Sequence, residues 1–239
     1  MQFVVTASCH NEFFRATGKY ELQEVVMQLN TGQWVVIIIA GILILGYILG
    51  FYYNRQRAEQ IYKWLKQGLS TLGTVTLGDK LPGMATGGRM EVNRPAPPLR
   101  TVEAVYLLAP RENPLFLIFH LLQRRGDELV VWVTYQSEPE QSIEVARRGD
   151  RQFEKRLKAR DKPAISLLES SQGLQMAVED RSGSGLIAKV QSFLANYPSS
   201  VIRLALRPDK PHLYLRTNLR IMQRTTASDF FADLKNLAS

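Results

Sequence analysis

The residue types that most often carry catalysis or bind metals are sparse in this sequence. No two of its three histidines, His10, His120 and His212, have the spacing of metal ligands. The single cysteine, Cys9, excludes an internal disulfide and a cysteine-based zinc site. The sequence also lacks a Gly-x-Ser-x-Gly nucleophile elbow. We therefore predict a protein that is not an enzyme and that uses no cofactor or metal.

Two of the histidines can be assigned an environment from their neighbours. His120 lies within the apolar segment "LIFHLL", where a hydrogen-bonded histidine in the core or at an interface is expected. His212 follows a proline at the start of a predicted strand, and we expect its ring to face solvent. Neither environment indicates chemistry.

The glycines of "RSGSGLIAK" precede a predicted helix, a position at which backbone amides can bind phosphate. An anion there would lie beside Ser184 and Lys189. A Walker loop needs Gly-x4-Gly-Lys-Ser/Thr, which is absent, and an ordinary loop with Ser184 as the helix N-cap explains the segment as well. The segment supports one alternative function, a membrane-anchored signalling domain that binds an anionic small molecule.

Basic side chains form the clearest candidate binding site. Arg55, Arg57, Lys63 and Lys66 occupy a short segment in which Glu59 is the sole acid. Cations at this density could contact the phosphates of lipid headgroups or of ribosomal RNA. Weaker candidates for the same role, which solvated loops explain equally well, are Arg124, Arg125, Arg147 and Arg148.

A candidate membrane anchor precedes this basic segment. Residues 34–53 contain no charge, and as a helix they would rise about 30 Å, the thickness of a bilayer's hydrocarbon core. Trp34 marks one end and a group of aromatic residues marks the other, as in an aromatic belt. Gly46 and Gly50 form a small-residue pair that could face a partner helix in the membrane, although such pairs are common by chance.

Charge asymmetry predicts the orientation of the anchor. Beyond Tyr53 the chain has 28 Lys and Arg against 19 Asp and Glu, so the net positive charge lies after the anchor. The positive-inside bias places this part in the cytoplasm, beside the plasma membrane of a prokaryote or the endoplasmic reticulum of a eukaryote. We expect residues 1–33 to be a short non-cytoplasmic segment. Met27 is a hypothetical alternative translation start.

Residues 54–72 are predicted to continue the anchor as a basic juxtamembrane helix. Its apolar stripe includes Ile61, Trp64 and Leu65 at helical spacing. Such a stripe could lie on anionic headgroups or pack on the following domain, and the sequence favours neither.

Residues 73–239 alternate between strand and helix patterns. The strongest predicted strands are "TVEAVYLLAP" and "DELVVWVTYQ", and Asn113 with Pro114 opens an apolar helix between them. Later segments predict further short strands, a charged surface helix at 150–160, an amphipathic helix in "GLIAKVQSFLANYP", a closing hairpin and a last helix. The predicted fold is a single transmembrane helix followed by a cytoplasmic α+β domain with a mixed or antiparallel sheet.

The order and local amino-acid sequence of these segments resemble those of the calumin family of single-span endoplasmic reticulum proteins. The resemblance is carried by "YYNRQRAEQIYKWLKQGLSTLGTV", "VYLLAPRENPLFLIFHLLQRRGDELVVWVTY", "SIEVARRGDRQFEKRLKA" and "VQSFLANYPSSVIRLALRPD". It covers roughly residues 40 to 210. That family belongs to the PAT complex, an intramembrane chaperone at the ribosome-bound translocon, and has been linked to calcium.

The resemblance implies a membrane adaptor whose partners are the bilayer, insertase or translocon subunits, and the ribosome. Two departures restrict this inference. The family's long acidic lumenal segment does not precede Trp34, so the resemblance does not support calcium handling. Its charged C-terminal coiled coil has no counterpart before Ser239. A structural component of an envelope complex, bound to another envelope protein through the anchor, is a further alternative.

Overall fold

In the computed structural model of the protein, the described residues are 30–78, 87–122, 126–159, 165–169, 173–179 and 184–237. Cys9, His10, Met27, Arg124 and Arg125 lie outside them. The described residues divide into two units, with the boundary between Gly41 and Ile42 inside the first helix.

The second unit combines one large sheet with helices. In chain order the strands are β1 (Thr74–Leu77), β2 (Gly87–Asn93), β3 (Leu99–Leu107), β4 (Glu128–Tyr135), β5 (Ser142–Arg147), β6 (Ile165–Glu169), β7 (Leu174–Glu179), β8 (Val201–Leu206) and β9 (Leu213–Asn218). The helices are α1 (Thr31–Ser70), α2 (Pro114–Leu122), α3 (Arg151–Ala159), α4 (Ser184–Asn196) and α5 (Ala227–Asn236), with a 3-10 turn at Leu219–Gln223. The predicted α+β organisation is confirmed.

The strands form one nine-stranded sheet in the order β1-β2-β3-β4-β9-β8-β5-β7-β6. Each described pair of neighbours is antiparallel, which resolves the choice between a mixed and an antiparallel sheet. The predicted closing hairpin is confirmed, because β8 pairs with β9. β9 also pairs with β4, so strands distant in sequence meet at the centre of the sheet.

Helix α1 is one continuous element of 40 residues that joins the predicted anchor to the predicted juxtamembrane helix. It begins behind Asn30, whose side-chain oxygen accepts a hydrogen bond from the Gly32 amide. Its most apolar 18-residue window has a mean hydropathy of 2.7, and only 6% of it is buried. The helix is therefore long and apolar enough to cross a membrane.

The C-terminal part of α1 packs on the sheet domain. Ile61, Leu65 and Leu69 have no exposed surface and belong to the main core. The Trp64 ring lies 5.7 Å from the ring of Phe230 in α5. The apolar stripe of residues 54–70 therefore covers the domain, which decides against its lying on headgroups.

Helices α4 and α5 cover the same face of the sheet and also contact each other. The Tyr197 hydroxyl, just after α4, donates a hydrogen bond of 2.8 Å to Asp233 of α5. Burial, together with this hydrogen bond, raises the pKa of Tyr197 to about 12. The phenol therefore remains a neutral donor at physiological pH.

Helix α3 packs on the opposite face. Phe153 is fully buried against Ala146 of β5 and Ala177 of β7. The predicted charged surface helix is thus amphipathic, and its Phe153 side chain packs on the sheet.

The two histidine predictions differ in outcome. His212 is 1% exposed, and its Nδ1 accepts a hydrogen bond of 3.1 Å from the Tyr135 backbone amide, so the predicted solvent-facing ring is wrong. The pairing of β9 with β4 brings the two residues together. His120 is half-buried in α2. Within the described part of the chain its Nδ1 has no hydrogen-bond partner, so the predicted hydrogen bond is not found at this atom.

Gly68 permits the close approach of α1 and α5. A Cβ atom at this position would lie 2.4 Å from the Phe231 ring and 2.8 Å from the Ala227 carbonyl oxygen. We expect Gly68→Ala to lower the free energy of unfolding by about 1–3 kcal/mol, because overpacking exceeds the gain in helix propensity. Denaturant unfolding of the detergent-solubilised protein measures this change.

Gly185→Ala is the matched control, because a Cβ atom there meets no atom within 4 Å. This variant should be as stable as the parent or more stable. Equal stability of both variants would contradict the described packing of α1 on α5.

Candidate functional site

The apolar part of α1 presents its side chains outward. Every large apolar side chain between Trp34 and Tyr53 is exposed; Leu49, for example, is 69% exposed. Soluble monomers rarely expose a continuous apolar surface of this size, whereas a lipid bilayer would cover it.

The exposed surface ends where α1 meets the segment between β3 and α2. Gly50 is buried, and a Cβ atom there would lie 1.9 Å from the Arg111 carbonyl oxygen. The structure thus gives Gly50 an intramolecular contact in place of the predicted contact with a partner helix. Gly46, one turn earlier, is half-buried. Only a glycine allows the backbone of this segment to approach α1 so closely.

One turn after Gly50, a group of polar side chains holds α1 at its junction with the segment between β3 and β4. We call Asn54, Arg57, Arg111 and Asp127 the exit cluster. Asn54 is 5% exposed and donates hydrogen bonds to the Ala109 carbonyl and the Glu112 carboxylate, at 3.0 and 2.6 Å. Its side-chain oxygen accepts a hydrogen bond of 2.9 Å from Arg111. The buried amide of Asn54 therefore has partners for both of its polar atoms.

Asp127 is the centre of the exit cluster. Its two carboxylate oxygens accept hydrogen bonds from the Arg111 guanidinium at 2.8 and 3.1 Å, and one oxygen also accepts from the Ala109 amide at 3.0 Å. Arg57 approaches the same carboxylate at 3.6 Å. Because the side chain of Asp127 is only 9% exposed, these partners replace the water that the carboxylate has lost.

The four predicted basic residues of the juxtamembrane segment have separate environments. Arg57 belongs to the exit cluster and is paired with Asp127, so it is not open to phosphate. Arg55, Lys63 and Lys66 are exposed on the side of α1 opposite the buried stripe. Arg55 lies 4.0 Å from Glu59, and because both side chains are exposed this contact contributes little to stability. Three of the four residues therefore stay candidates for phosphate contact.

Of the weaker basic candidates, Arg147 and Arg148 belong to the described residues, whereas Arg124 and Arg125 lie outside them. Arg147 donates a hydrogen bond of 3.2 Å to the Ser199 carbonyl, and Arg148 is exposed in the turn after β5. The structure assigns no shared site to the pair.

A basic cleft that sequence reasoning missed lies on the α3 side of the sheet. Its volume is about 350 Å³, and it lies between α3 and the β8–β9 connection. The cationic residues that line it are Arg156, Arg203, Arg207, Lys210 and Arg216. The available signal was the even spacing of Arg203 and Arg207, because residues four apart in an extended segment point to the same side. The sequence does not show that α3 closes the cleft.

Acidic side chains neutralise only part of this charge. Glu144 is 5% exposed and accepts hydrogen bonds from Arg203 and Arg207, while Arg156 lies 3.7 Å from it. Arg216 is paired with Glu128 at 2.8 and 2.9 Å. Asp209 also lines the cleft. The five cations still outnumber the three carboxylates of Glu128, Glu144 and Asp209, so the cleft is electropositive and suited to an anion.

The glycine loop predicted as an alternative anion site is described only in part. Helix α4 begins at Ser184, and residues 181–183 lie outside the described residues. Lys189 lines a cavity of about 410 Å³ whose lining also includes Glu138 and Glu140. Two carboxylates against one ammonium group disfavour an anion in this cavity.

Comparison with known proteins finds no family model and no curated protein that matches this chain. The resemblance to the calumin family therefore stays a prediction.

The exit cluster generates a stability prediction. Asp127→Ala leaves Arg57 and Arg111 without their carboxylate in a partly buried site. We expect the free energy of unfolding to fall by about 3 kcal/mol, since breaking one side of a buried charge pair is strongly destabilising. Denaturant unfolding in detergent, monitored by circular dichroism, measures the change.

Glu91→Ala provides the matched control. Glu91 pairs with Arg89 at 2.7 Å, but its side chain is 41% exposed. Loss of this pair should cost less than about 1 kcal/mol. If Asp127→Ala were no more destabilising than this control, the exit cluster would not hold the junction together.

Proposed function

We propose that this protein is a non-enzymatic single-pass membrane adaptor that assists the insertion or folding of membrane proteins at the ribosome or translocon. In this proposal α1 crosses the membrane and the sheet domain lies in the cytoplasm. The observation that carries the proposal is the continuity of α1, which passes without interruption from an exposed apolar surface into the domain's core.

This continuity gives the domain a defined position. A flexible linker would let a tethered domain sample many orientations, whereas residues 54–70 form helix packed on the sheet. At 1.5 Å per residue, these residues extend about 25 Å beyond the apolar part. The domain would therefore remain close to the bilayer surface in one orientation, as an adaptor between a membrane machine and a cytoplasmic particle requires.

The distribution of charge supports the cytoplasmic orientation. Arg55, Arg57, Lys63 and Lys66 directly follow the apolar part, as the positive-inside rule expects. The exposure of Arg55, Lys63 and Lys66 supports their proposed contact with phosphates of headgroups or ribosomal RNA. The resemblance to the calumin family supports the choice of ribosome and insertase as partners.

The test is recovery of partners after crosslinking in cells and solubilisation in mild detergent. We expect the tagged protein to recover ribosomal proteins together with insertase or translocon subunits. Reversing the charges of Arg55, Lys63 and Lys66 to Glu should lower recovery of ribosomal proteins about tenfold, because phosphate contacts are electrostatic. Without crosslinking, high salt should have the same effect on the parent protein.

The matched control reverses three exposed arginines elsewhere on the domain, Arg100, Arg220 and Arg224, with the same change in net charge. It should retain the partners. Equal recovery by both triple variants would exclude the juxtamembrane contact. Recovery of neither ribosome nor insertase by the parent protein would exclude the role in membrane-protein biogenesis.

The basic cleft favours a second candidate function, a membrane-anchored domain that binds an anionic ligand. Arg207 and Lys210 are the test positions, because both line the cleft and the Arg207 side chain is 31% exposed, whereas the Arg203 side chain is buried. Pyrophosphate or a nucleoside triphosphate at 100 times its dissociation constant should stabilise the protein by about 2.7 kcal/mol. A thermal shift relative to sodium chloride of equal ionic strength measures this stabilisation.

Combined replacement of Arg207 and Lys210 by Ala should remove the thermal shift, while Arg100→Ala, on an exposed residue outside the cleft, should retain it. A shift that persists in the double variant would exclude the cleft as the binding site. No shift in the parent protein would leave the adaptor as the supported function.

A further inference from the structure

Helix α2 has an apolar surface that the other described residues do not cover. Its five exposed large side chains, between 56% and 77% exposed, are Leu115, Phe116, Ile118, Phe119 and Leu122. Helical spacing places them on one broad face, and Leu117 and His120 on the other side are half-buried. A soluble domain rarely exposes an apolar cluster of this kind without an occupant.

The segment that contains α2 leaves the sheet and returns to it at the exit cluster. Before the helix, the Ala109 amide and the Arg111 guanidinium both bind the Asp127 carboxylate, and Asp127 lies directly before β4. Asn113 caps the helix by accepting a hydrogen bond of 3.2 Å from the Phe116 amide. The described residues 110–122 therefore leave the sheet from a point that the bidentate ion pair of Arg111 with Asp127 holds together.

The segment that leads into α2 contacts α1 at the end of the candidate membrane span. The Arg111 backbone packs on Gly50, and the Arg111 guanidinium lies over the Tyr53 ring, 4.9 Å from its centroid. Both contacts are made with the last turn of the apolar part of α1. Helix α2 begins three residues after Arg111, so it starts near the level at which α1 would leave the bilayer.

Length and flanking charges determine how α2 can meet a membrane. Its nine residues rise about 13 Å, less than half of the hydrocarbon thickness, so it cannot span. Charged residues stand on both sides of it in the sequence, Arg111 and Glu112 before and Arg124 and Arg125 after. A short apolar helix between charged flanks is stable in the plane of the interface, where long basic side chains reach the headgroups.

We propose that α2 is a second membrane-embedded element, which lies in the cytoplasmic headgroup–acyl boundary of the bilayer that α1 crosses. Lipid hydrocarbon covers its exposed face. The two elements hold the domain at two points, so its rotation about the axis of α1 is restricted. The inference rests on the proposed transmembrane role of α1, which the following experiment tests separately.

The experiment places a fluorescent label on single cysteines in the full-length protein. In a Cys9→Ser background, Phe119→Cys reports on α2, Leu49→Cys on the apolar part of α1, and Leu77→Cys on an exposed apolar position of β1. Each is labelled with an NBD fluorophore and reconstituted into phosphatidylcholine–phosphatidylglycerol vesicles. Quenching is measured with lipids carrying a doxyl group at a shallow or a deep acyl carbon, and with aqueous iodide.

We expect the label at position 119 to be quenched by doxyl lipid at least about twofold more than the label at position 77, and more by the shallow than by the deep doxyl group. Iodide should quench position 77 and spare position 119. Leu122→Cys is a second reporter on α2, so the result does not depend on one substitution. Positions 119 and 122 are both exposed, so the two substitutions remove no packing within the domain.

Three results would overturn the proposal in distinguishable ways. If position 49 escapes lipid quenching, α1 does not span, and the proposed function fails as well. If position 49 is quenched while positions 119 and 122 behave like position 77, α2 is in water and only this inference fails. If 119 and 122 are protected from both lipid and iodide, a protein surface covers α2, and lipid is the wrong occupant.

Discussion

The buried carboxylate of Asp127 is the constraint on which the junction between helix and sheet depends. It binds Arg111 and Ala109, which precede α2, and lies 3.6 Å from Arg57 in α1. The backbone carbonyl of Asp127 also accepts a hydrogen bond of 2.9 Å from the Leu219 amide, after β9. Burying a charge is unfavourable unless it is paired, and Asp127 is paired with both Arg57 and Arg111. Three segments distant in sequence thereby meet at the end of the apolar part of α1.

The sheet separates two kinds of surface because side chains alternate along each strand. One face is apolar and is covered by α4, α5 and the buried stripe of α1. The other carries the charged side chains of the basic cleft and is covered in part by α3. The domain can therefore pack on α1 through one face and present an electropositive cleft on the other.

Local sequence patterns predicted most of the elements but not all of their surroundings. Period-two and period-3.6 patterns depend on neighbouring residues, so the strands, the closing hairpin and the helix after Asn113 were predicted correctly. His212 was predicted to face solvent from its position after a proline, and it is buried because β9 pairs with β4. Gly50 was assigned to a partner helix, and it contacts Arg111, a residue distant in sequence. Both corrections come from contacts that no local pattern encodes.

The sequence by itself determined the apolar span, the charge asymmetry that follows it and the order of strands and helices, because hydropathy and net charge are sums over adjacent residues. Only the tertiary structure decided that Arg57 is paired with Asp127 while Lys63 and Lys66 are exposed. It also brought the arginines of β8 and β9 to α3, and placed α2 beside the end of the apolar part of α1. The physical reason is that the partner of a charge or of an apolar face is set by strand pairing and helix packing, which join residues far apart in the chain.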